Sequence, residues 1–422
     1  MKYKSIKGTR DVLPDESARW QFAEQTIRSV YHVFNYREIR TPVFEETSLF
    51  SRSIGELTDI VGKEMYTFTD RSKDSLTLKP EMTASVVRAY LQHNLGAQQP
   101  LVKVYYLSPM FRQERPQAGR LRQFHQFGAE AIGGAHPSVD AEVISLAIEI
   151  YRRFGITDAE LRINSVGCPG CRPGYRDQLK RFLTGVFDRL SEESKRRFES
   201  NPLRILDSKD ENDRLLTRDA PLMKDFLCKE CADHFGELQR ILSVLQIVFR
   251  IDGRIVRGLD YYTRTAFEIL STDLGSQDAL AGGGRYDGLV EELGGPPTPG
   301  VGFAAGLERL LMVMSKRSPE AGQATPPSLF IAAADTEGRR WALENSLHLR
   351  QAGTACEIDF LDRSLKAQMR EADRQQAEFV LVVGDREIRE GSGVLKQMKT
   401  GKAHPVRLSE ILPALRHVRK GA

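Results

Sequence analysis

The sequence predicts an α+β domain that is interrupted by a helical insertion and followed by a small α/β domain. Three observations carry this. Two apolar runs, 101–112 (LVKVYYLSPMFR) and 124–132 (FHQFGAEAI), flank a basic segment and read as the strands of a hairpin. From about 168 to 245 the chain turns helical and strongly charged, and it holds four of the five cysteines. The polar, proline-rich stretch SPEAGQATPP then marks a domain boundary, beyond which apolar strand candidates alternate with helical stretches. The expected domains are residues 1–325, insertion included, and 326–422.

The remaining elements follow from periodicity. Residues 16–34 place Trp20, Phe22, Ala23, Ile27, Val30, Tyr31 and Phe34 at helical spacing, so an amphipathic helix is expected. YREIRTPVFEE (36–46) reads as a strand; Pro42 lacks a ladder donor and suits an edge or an interface. TLKPEMTASVVRAYLQ reads as strand, turn and helix, residues 139–154 as a second helix, and LRINSVG as a short strand. Strands resume after the insertion in GRIVRGLDYYTRTAFEILS and ALAGGGRYDGLV. GVGFAAGLERLLMVM begins with glycines and is expected to turn helical from about Phe303. In the last domain SLFIAAA, TACEIDF and FVLVVGD are strand candidates, with helices RRWALENSLHLRQ and SLKAQMREADRQQ between them and at least partly parallel pairing.

Composition excludes some classes. No apolar run approaches the roughly 20 residues that span a bilayer, and the start lacks the apolar core of a signal peptide. A cytoplasmic protein with no membrane partner is expected. A net charge of +4 on 422 residues does not by itself demand nucleic acid. The basic segment 112–122 and the terminal RHVRKGA are solvated faces unless a motif says otherwise. G-x-x-x-x-G-K-[ST] does not occur, so a nucleotide is not held by a P-loop. Residues 300–305 fit G-x-G-x-x-A, but GGPPTP precedes them where a dinucleotide site needs a buried strand.

Chemistry gathers on three arginines and two carboxylates. Arg112 ends an apolar strand, Arg257 lies in VRGLDYY, and Arg309 sits on an otherwise apolar helix. Each alone suits a structural ion pair; together they offer the guanidinium forks that grip polyphosphate oxygens. Glu81 starts a helix, and Glu130 lies four residues past Gln126, so those two side chains share a strand face. Either carboxylate could instead serve an arginine as a salt-bridge partner. GGGRYDG (282–288) either lets backbone approach a ligand or makes a tight turn.

FRQERPQAGRLRQFHQFGAE resembles the second signature motif of class II aminoacyl-tRNA synthetases, GVGFAAGLERL the third, and YREIRTPVFEE the proline-bearing first motif at the dimer interface. RGLDYYT and AGGGRYDGL are similar to two signatures of the histidyl-tRNA synthetase family. The resemblance runs over nearly the whole chain from KGTRDVLP, weakest in the insertion. It implies a catalytic domain built on an antiparallel sheet flanked by helices, a C-terminal anticodon-binding domain and a homodimer. It also implies two steps: L-histidine and ATP give histidyl-adenylate and pyrophosphate, and the acyl group then passes to the 3′ end of tRNA(His).

By that resemblance Arg112, Glu114, Arg257 and Arg309 form the ATP site, with Mg2+ bridging the outer phosphates. Arg112 holds the α-phosphate, Arg309 the γ-phosphate, and Arg257 lies opposite. Glu81, Thr83 and Gln126 take the histidine ammonium; Glu130, Tyr261 and Tyr262 take its ring. Gln126 is also a candidate to position the attacking ribose hydroxyl. Arg115, Gln117, Arg120 and Arg122 in the hairpin loop face the acceptor end of tRNA. Met82 stands where the family often has glycine, and both flanking polar groups are kept. A second reading is a non-catalytic regulatory relative that binds ATP phosphoribosyltransferase in histidine biosynthesis. Such relatives lack the C-terminal domain and lose parts of RGLDYYT, whereas Arg257, Tyr261 and Tyr262 are all present here.

Cys168/Cys171 and Cys228/Cys231 form two C-x-x-C pairs. Three readings stand: a closed structural zinc site, two pairs of free thiols, or a redox pair. Zinc requires the insertion to fold back on itself, and His234 is a nearby spare ligand.

Overall fold

The computed structural model describes residues 3–55, 58, 60–117, 119–208, 210–277 and 279–420. Ala118 of the hairpin loop and the last two residues of the basic C-terminal stretch lie outside them. The chain divides into two compact units, Met1–Gln323 and Ala324–Ala422. No helix among the described residues is long and apolar enough to cross a membrane.

In chain order the strands of the first unit are β1 (Arg37–Glu38), β2 (Phe44–Glu46), β3 (Tyr66–Thr69), β4 (Ser75–Leu78), β5 (Val102–Phe111), β6 (Gln123–Ile132), β7 (Glu160–Ser165), β8 (Arg250–Ile251), β9 (Thr263–Leu270), β10 (Ala279–Arg285) and β11 (Gly300–Gly306). Eight of them form one sheet in the order β1-β5-β6-β11-β10-β9-β7-β8, and β2-β4-β3 form a small second sheet. The large sheet is antiparallel through its centre; only its two short outermost strands pair parallel.

Strand alternation divides this sheet into a core face and a site face. Phe127, Ala129 and Ala131 of β6 and Phe303 and Ala305 of β11 are buried with apolar residues of the helices Pro14–Val33, Pro137–Arg153 and Leu307–Arg317. The intervening residues Gln126, Glu130, Gly302 and Ala304 line a cavity instead.

Three expectations need correction. YREIRTPVFEE is not one strand: Pro42 cannot donate to a ladder, and the segment divides into β1 on the large sheet and β2 on the small one. RGLDYY is not strand either; the ladder of β9 begins only at Thr263. The segment from Phe303 is not yet helical, because Gly300–Gly306 is a central strand paired on both sides, and the helix starts at Leu307. Small apolar residues fit either periodicity, and the sheet decides.

The second unit holds β12 (Leu329–Ala333), β13 (Cys356–Ile358), β14 (Phe379–Val383), β15 (Ser392–Gln397) and β16 (Ala403–Arg407), in the order β13-β12-β14-β15-β16. The first three pair parallel, with the helices Thr336–Gln351 and Leu365–Arg374 as crossovers, and β14-β15-β16 pair antiparallel. The β15–β16 hairpin is absent from the sequence expectation.

One buried ion pair ties helix to sheet in the first unit. Asp140, on the helix Pro137–Arg153, and Arg285, at the end of β10, are paired with both side chains fully buried. Burial pushes the Asp140 carboxyl up, but His234 and Arg285 outweigh it and hold it below its ordinary value. Asp140→Ala leaves the guanidinium buried beside only Asp287, so the first unit should lose about 3–5 kcal/mol. Urea unfolding followed by Trp20 fluorescence in a Trp341→Phe background measures this; Asp140→Asn separates lost charge from lost shape.

Candidate active site

The cavity on the site face has a volume of about 270 Å³ and carboxylates and arginines at different positions on its wall. Glu81 lies just before the helix Thr83–Gln92, and its carboxylate accepts the N–H groups of Thr83 (2.7 Å) and Ala84 (2.9 Å). It thereby closes a first turn that lacks partners of its own. The Thr83 hydroxyl donates to Oε1 of Glu130 at 2.8 Å, and the Tyr286 hydroxyl donates to Oε2 at 2.6 Å. Tyr261 donates to Glu81 at 3.4 Å. Glu130 is 1% exposed. Burial pushes its carboxyl up to about 8 against the pull of its two hydroxyl partners, and burial also raises Glu81.

Room for Glu130 comes from across the ladder. Gly302 of β11 pairs with Glu130 of β6, and a Cβ at 302 would lie 1.8 Å from Oε2. On the same strand face the side-chain amide oxygen Oε1 of Gln126 is buried with no hydrogen-bond partner among the described residues, and Gln126 lines the cavity.

The arginines are held mostly by backbone and rings, leaving guanidinium N–H groups available. Arg112 donates through Nε to the carbonyl of Pro80 at 2.9 Å and lies over the ring of Phe124. Arg309 donates to the carbonyls of Ala279 (2.6 Å) and Gly119 (3.5 Å). Burial first, then neighbouring Arg120, push its guanidinium below the usual value, which marks positive charge short of counter-charge. Arg257 pairs with Glu268 at 2.6 Å and lies across the glycines of β10, where a Cβ at Gly282 would come within 2.3 Å of its Nη2. GGG is therefore strand and not a tight turn, and it admits an arginine against backbone.

The expected site residues converge unevenly. Glu81, Thr83, Arg112, Glu114, Arg120, Gln126, Glu130, Arg257, Tyr261, Tyr262 and Arg309 all line the one cavity. The hairpin-loop residues divide. Arg115 and Gln117 are exposed, whereas Arg120 is engaged by Glu114 at 3.1 Å and Arg122 by the carbonyl of Glu114 at 3.4 Å. Tyr286, which fixes Glu130, was not singled out, although it stands inside GGGRYDG. Nothing in one sequence distinguishes its hydroxyl from those of the other tyrosines.

The four paired cysteines meet outside the lining of this cavity. Their Sγ atoms all lie within 4.8 Å of one another. His234 is not among them: it is buried, with Nε2 turned to Asp140 (3.4 Å) and Thr265 (3.3 Å).

An antiparallel sheet with arginines and carboxylates disposed along one cavity, on the three ordered motifs, defines a class II aminoacyl-tRNA synthetase. The family model for histidyl-tRNA synthetase matches residues 8–310, and that for the anticodon binding domain matches residues 331–417. The histidine–tRNA ligase of Halothermothrix orenii is 48% identical over 98% of both chains. That of Thermoanaerobacter pseudethanolicus is 49% identical over 99% of this chain and 100% of its own. The crystal structure of apo histidyl-tRNA synthetase from S. aureus superposes with a TM-score of 0.81 at 37% identity, covering 98% of this chain and 100% of that one. The chain belongs to the histidyl-tRNA synthetase family.

The raised Glu130 carboxyl makes a pH prediction. Its value in the fold, about 8, exceeds the ordinary 4.5, so the fold favours the protonated form. The associated stability is full below pH 4.5 and is lost as pH rises toward 8. Glu130→Gln carries no such loss. Its stability relative to the unsubstituted protein should climb by about 1.4 kcal/mol per pH unit inside that window and stay flat outside it. Ligand-free unfolding in urea at a series of pH values checks this.

Proposed function

We propose that this chain activates L-histidine with ATP to histidyl-adenylate and pyrophosphate, and then transfers the histidyl group to the 3′ end of tRNA(His). The observation that carries the reading is one cavity that joins two buried carboxylates to three arginines drawn from separate elements. The nucleophile of the first step is the substrate's own carboxylate, already ionised at neutral pH. The protein need supply no base, only position and positive charge for in-line displacement at the α-phosphate. Arg112 holds that phosphate, Arg309 the γ-phosphate, and Arg257 compensates charge from the opposite side. Glu114, between Arg112 and Arg120, is the carboxylate at the ATP end. This is no all-protein cage, which suits a magnesium ion that keeps its waters and binds chiefly through phosphates. When bound, magnesium neutralises the outer phosphates.

The amino acid is caught at both ends. Glu81, Thr83 and Gln126 take the ammonium. Glu130 accepts the ring N–H, and Tyr286 and Thr83 hold its carboxylate in place for that contact. Tyr261 and Tyr262 complete the ring pocket. Gln126 then positions the attacking ribose hydroxyl. Arg115 and Gln117, exposed on the hairpin loop, meet the acceptor end of tRNA; Arg120 and Arg122 shape that loop.

A homodimer belongs to the same reading. Val43, Phe44 and Phe68 are exposed beside Pro42, with the rings of Phe44 and Phe68 6.4 Å apart on the small sheet, a patch suited to a second copy. A structural zinc ion on the four cysteines completes the cofactor set, and the cytoplasm is the site of action. The regulatory alternative is disfavoured by the retained Arg257, Tyr261 and Tyr262 and by a C-terminal unit with its own five-stranded sheet.

Histidine should drive exchange of labelled pyrophosphate into ATP while the other amino acids do not. Arg257→Ala should lower the exchange rate by roughly 10²–10³-fold, the usual cost of removing one transition-state donor. Exchange with no amino-acid preference, or an unaffected Arg257→Ala, would sink the reading. Phe44→Asp should convert a dimer to monomers in sedimentation velocity; an unchanged sedimentation coefficient would contradict the assigned interface.

A further inference from the structure

One cysteine pair stands at the start of the insertion and the other at the start of its last helix, Lys229–Val244. Cys171 immediately precedes the helix Arg172–Thr184 and Cys228 immediately precedes the helix Lys229–Val244. The long stretch between the pairs is the excursion of the insertion, which leaves the catalytic unit and returns to the same point. The fold-back that a shared metal site requires is therefore present in the fold.

The sulfur geometry is that of a closed metal site. Cys168 Sγ lies 3.5 Å from Cys171 Sγ and 3.9 Å from Cys228 Sγ. A tetrahedron with metal–sulfur bonds of about 2.3 Å has edges of about 3.8 Å. The backbone N–H of Cys228 donates to Cys171 Sγ at 3.2 Å, the kind of outer contact that stabilises a bound thiolate. Gly167 makes the turn possible: its φ is +65°, and a Cβ there would come within 2.8 Å of the Cys171 Cβ. One redox pair would need two sulfurs together; here four converge.

The next residue carries the consequence. Arg172 donates through Nη2 to the carbonyl of Tyr262 and through Nη1 to the carbonyl of Asp260 at 3.4 Å. Two backbone bonds lie alongside, Val166 N–H to the carbonyl of Arg264 (2.7 Å) and Arg264 N–H to the carbonyl of Gly167 (2.9 Å). Asn201 of the insertion adds a bond to the Asp260 carboxylate at 3.1 Å. The irregular segment bearing Tyr261 and Tyr262 is thus fastened to the cysteine turn on its outer side.

We propose that Cys168, Cys171, Cys228 and Cys231 hold one zinc ion as a closed tetrathiolate, and that this site fixes Arg172 as a positioning residue for the Tyr261–Tyr262 wall of the histidine pocket. Four thiolates leave no open position, so the ion closes the base of the insertion and takes no part in chemistry. The second half rests on the reading of those tyrosines as histidine-binding; the metal site does not.

The test has two arms on the full-length protein. Elemental analysis after zinc loading under reducing conditions should find one zinc per chain, lost in Cys168→Ser and Cys228→Ser. Cobalt(II) in its place should give the visible absorption of a tetrahedral thiolate site, a readout that needs no activity. In pyrophosphate exchange, Arg172→Ala should raise KM for histidine by roughly tenfold, the scale of a lost charge-assisted hydrogen bond. KM for ATP should move less than about twofold, zinc content should hold, and Arg172→Lys should recover part of the loss. No stoichiometric zinc or cobalt binding overturns the site. Equal rises in both KM values, or none for histidine, overturn the positioning role. A protein that binds one zinc yet exchanges no pyrophosphate supports the site and counts only against the enzymatic reading.

Discussion

The site depends on a carboxyl group buried in the middle of an antiparallel sheet with no cationic side chain paired to it among the described residues. Glu130 is 1% exposed, and its two oxygens are satisfied by hydroxyls of Thr83 and Tyr286. Burying such a group is costly unless every lone pair that faces protein is paired. That requirement fixes the surroundings: a glycine at 302 across the ladder, a threonine opening the helix Thr83–Gln92, and a tyrosine just past the end of β10. The register of β6 on β11 cannot slip by one residue without placing Ala129 or Ala131 where Glu130 stands. Fold and site geometry are in this sense one constraint.

The rest of the cavity separates charge by element. Carboxylates come from β6 and from the helix start at 81–83, and arginines from the end of β5, the segment before β9 and the helix after β11. None of the three arginines is spent wholly on a carboxylate: Arg112 and Arg309 lean on backbone carbonyls, and Arg257 pairs with Glu268 through Nη1 while lying over the ring of Tyr262. Fixed donors oriented before substrate arrives are what an in-line phosphoryl displacement needs, because no reorganisation remains for the moment of reaction. On the same wall Gln126 presents a buried side-chain oxygen with no hydrogen-bond partner among the described residues.

Much of this was legible in sequence because the motifs are local. The hairpin of β5 and β6, the glycines of β10 and the helix behind Glu81 each lie within about thirty residues, and alternation alone puts Gln126 and Glu130 on one face. What was illegible is non-local or degenerate. GVGFAAG has no period that distinguishes strand from helix, and only its two ladder neighbours decide. Tyr286 gains its role from a contact 156 residues away in sequence. His234 looked like a ligand by proximity to Cys231, but its helix turns it to Asp140. Arg120 and Arg122 looked like free basic residues, yet Glu114 folds back onto both.

The central claim is that a buried, hydroxyl-braced carboxylate reads the ring N–H of the amino acid. The direct measurement is kcat/KM in pyrophosphate exchange for histidine against an alanine bearing a ring of similar size without any N–H, such as thienylalanine. A site whose buried acceptor would be left unpaired should reject that analogue by roughly 10⁴-fold or more. Turnover of the analogue within about tenfold of histidine would show that shape alone selects the substrate, and would contradict the role assigned to Glu130.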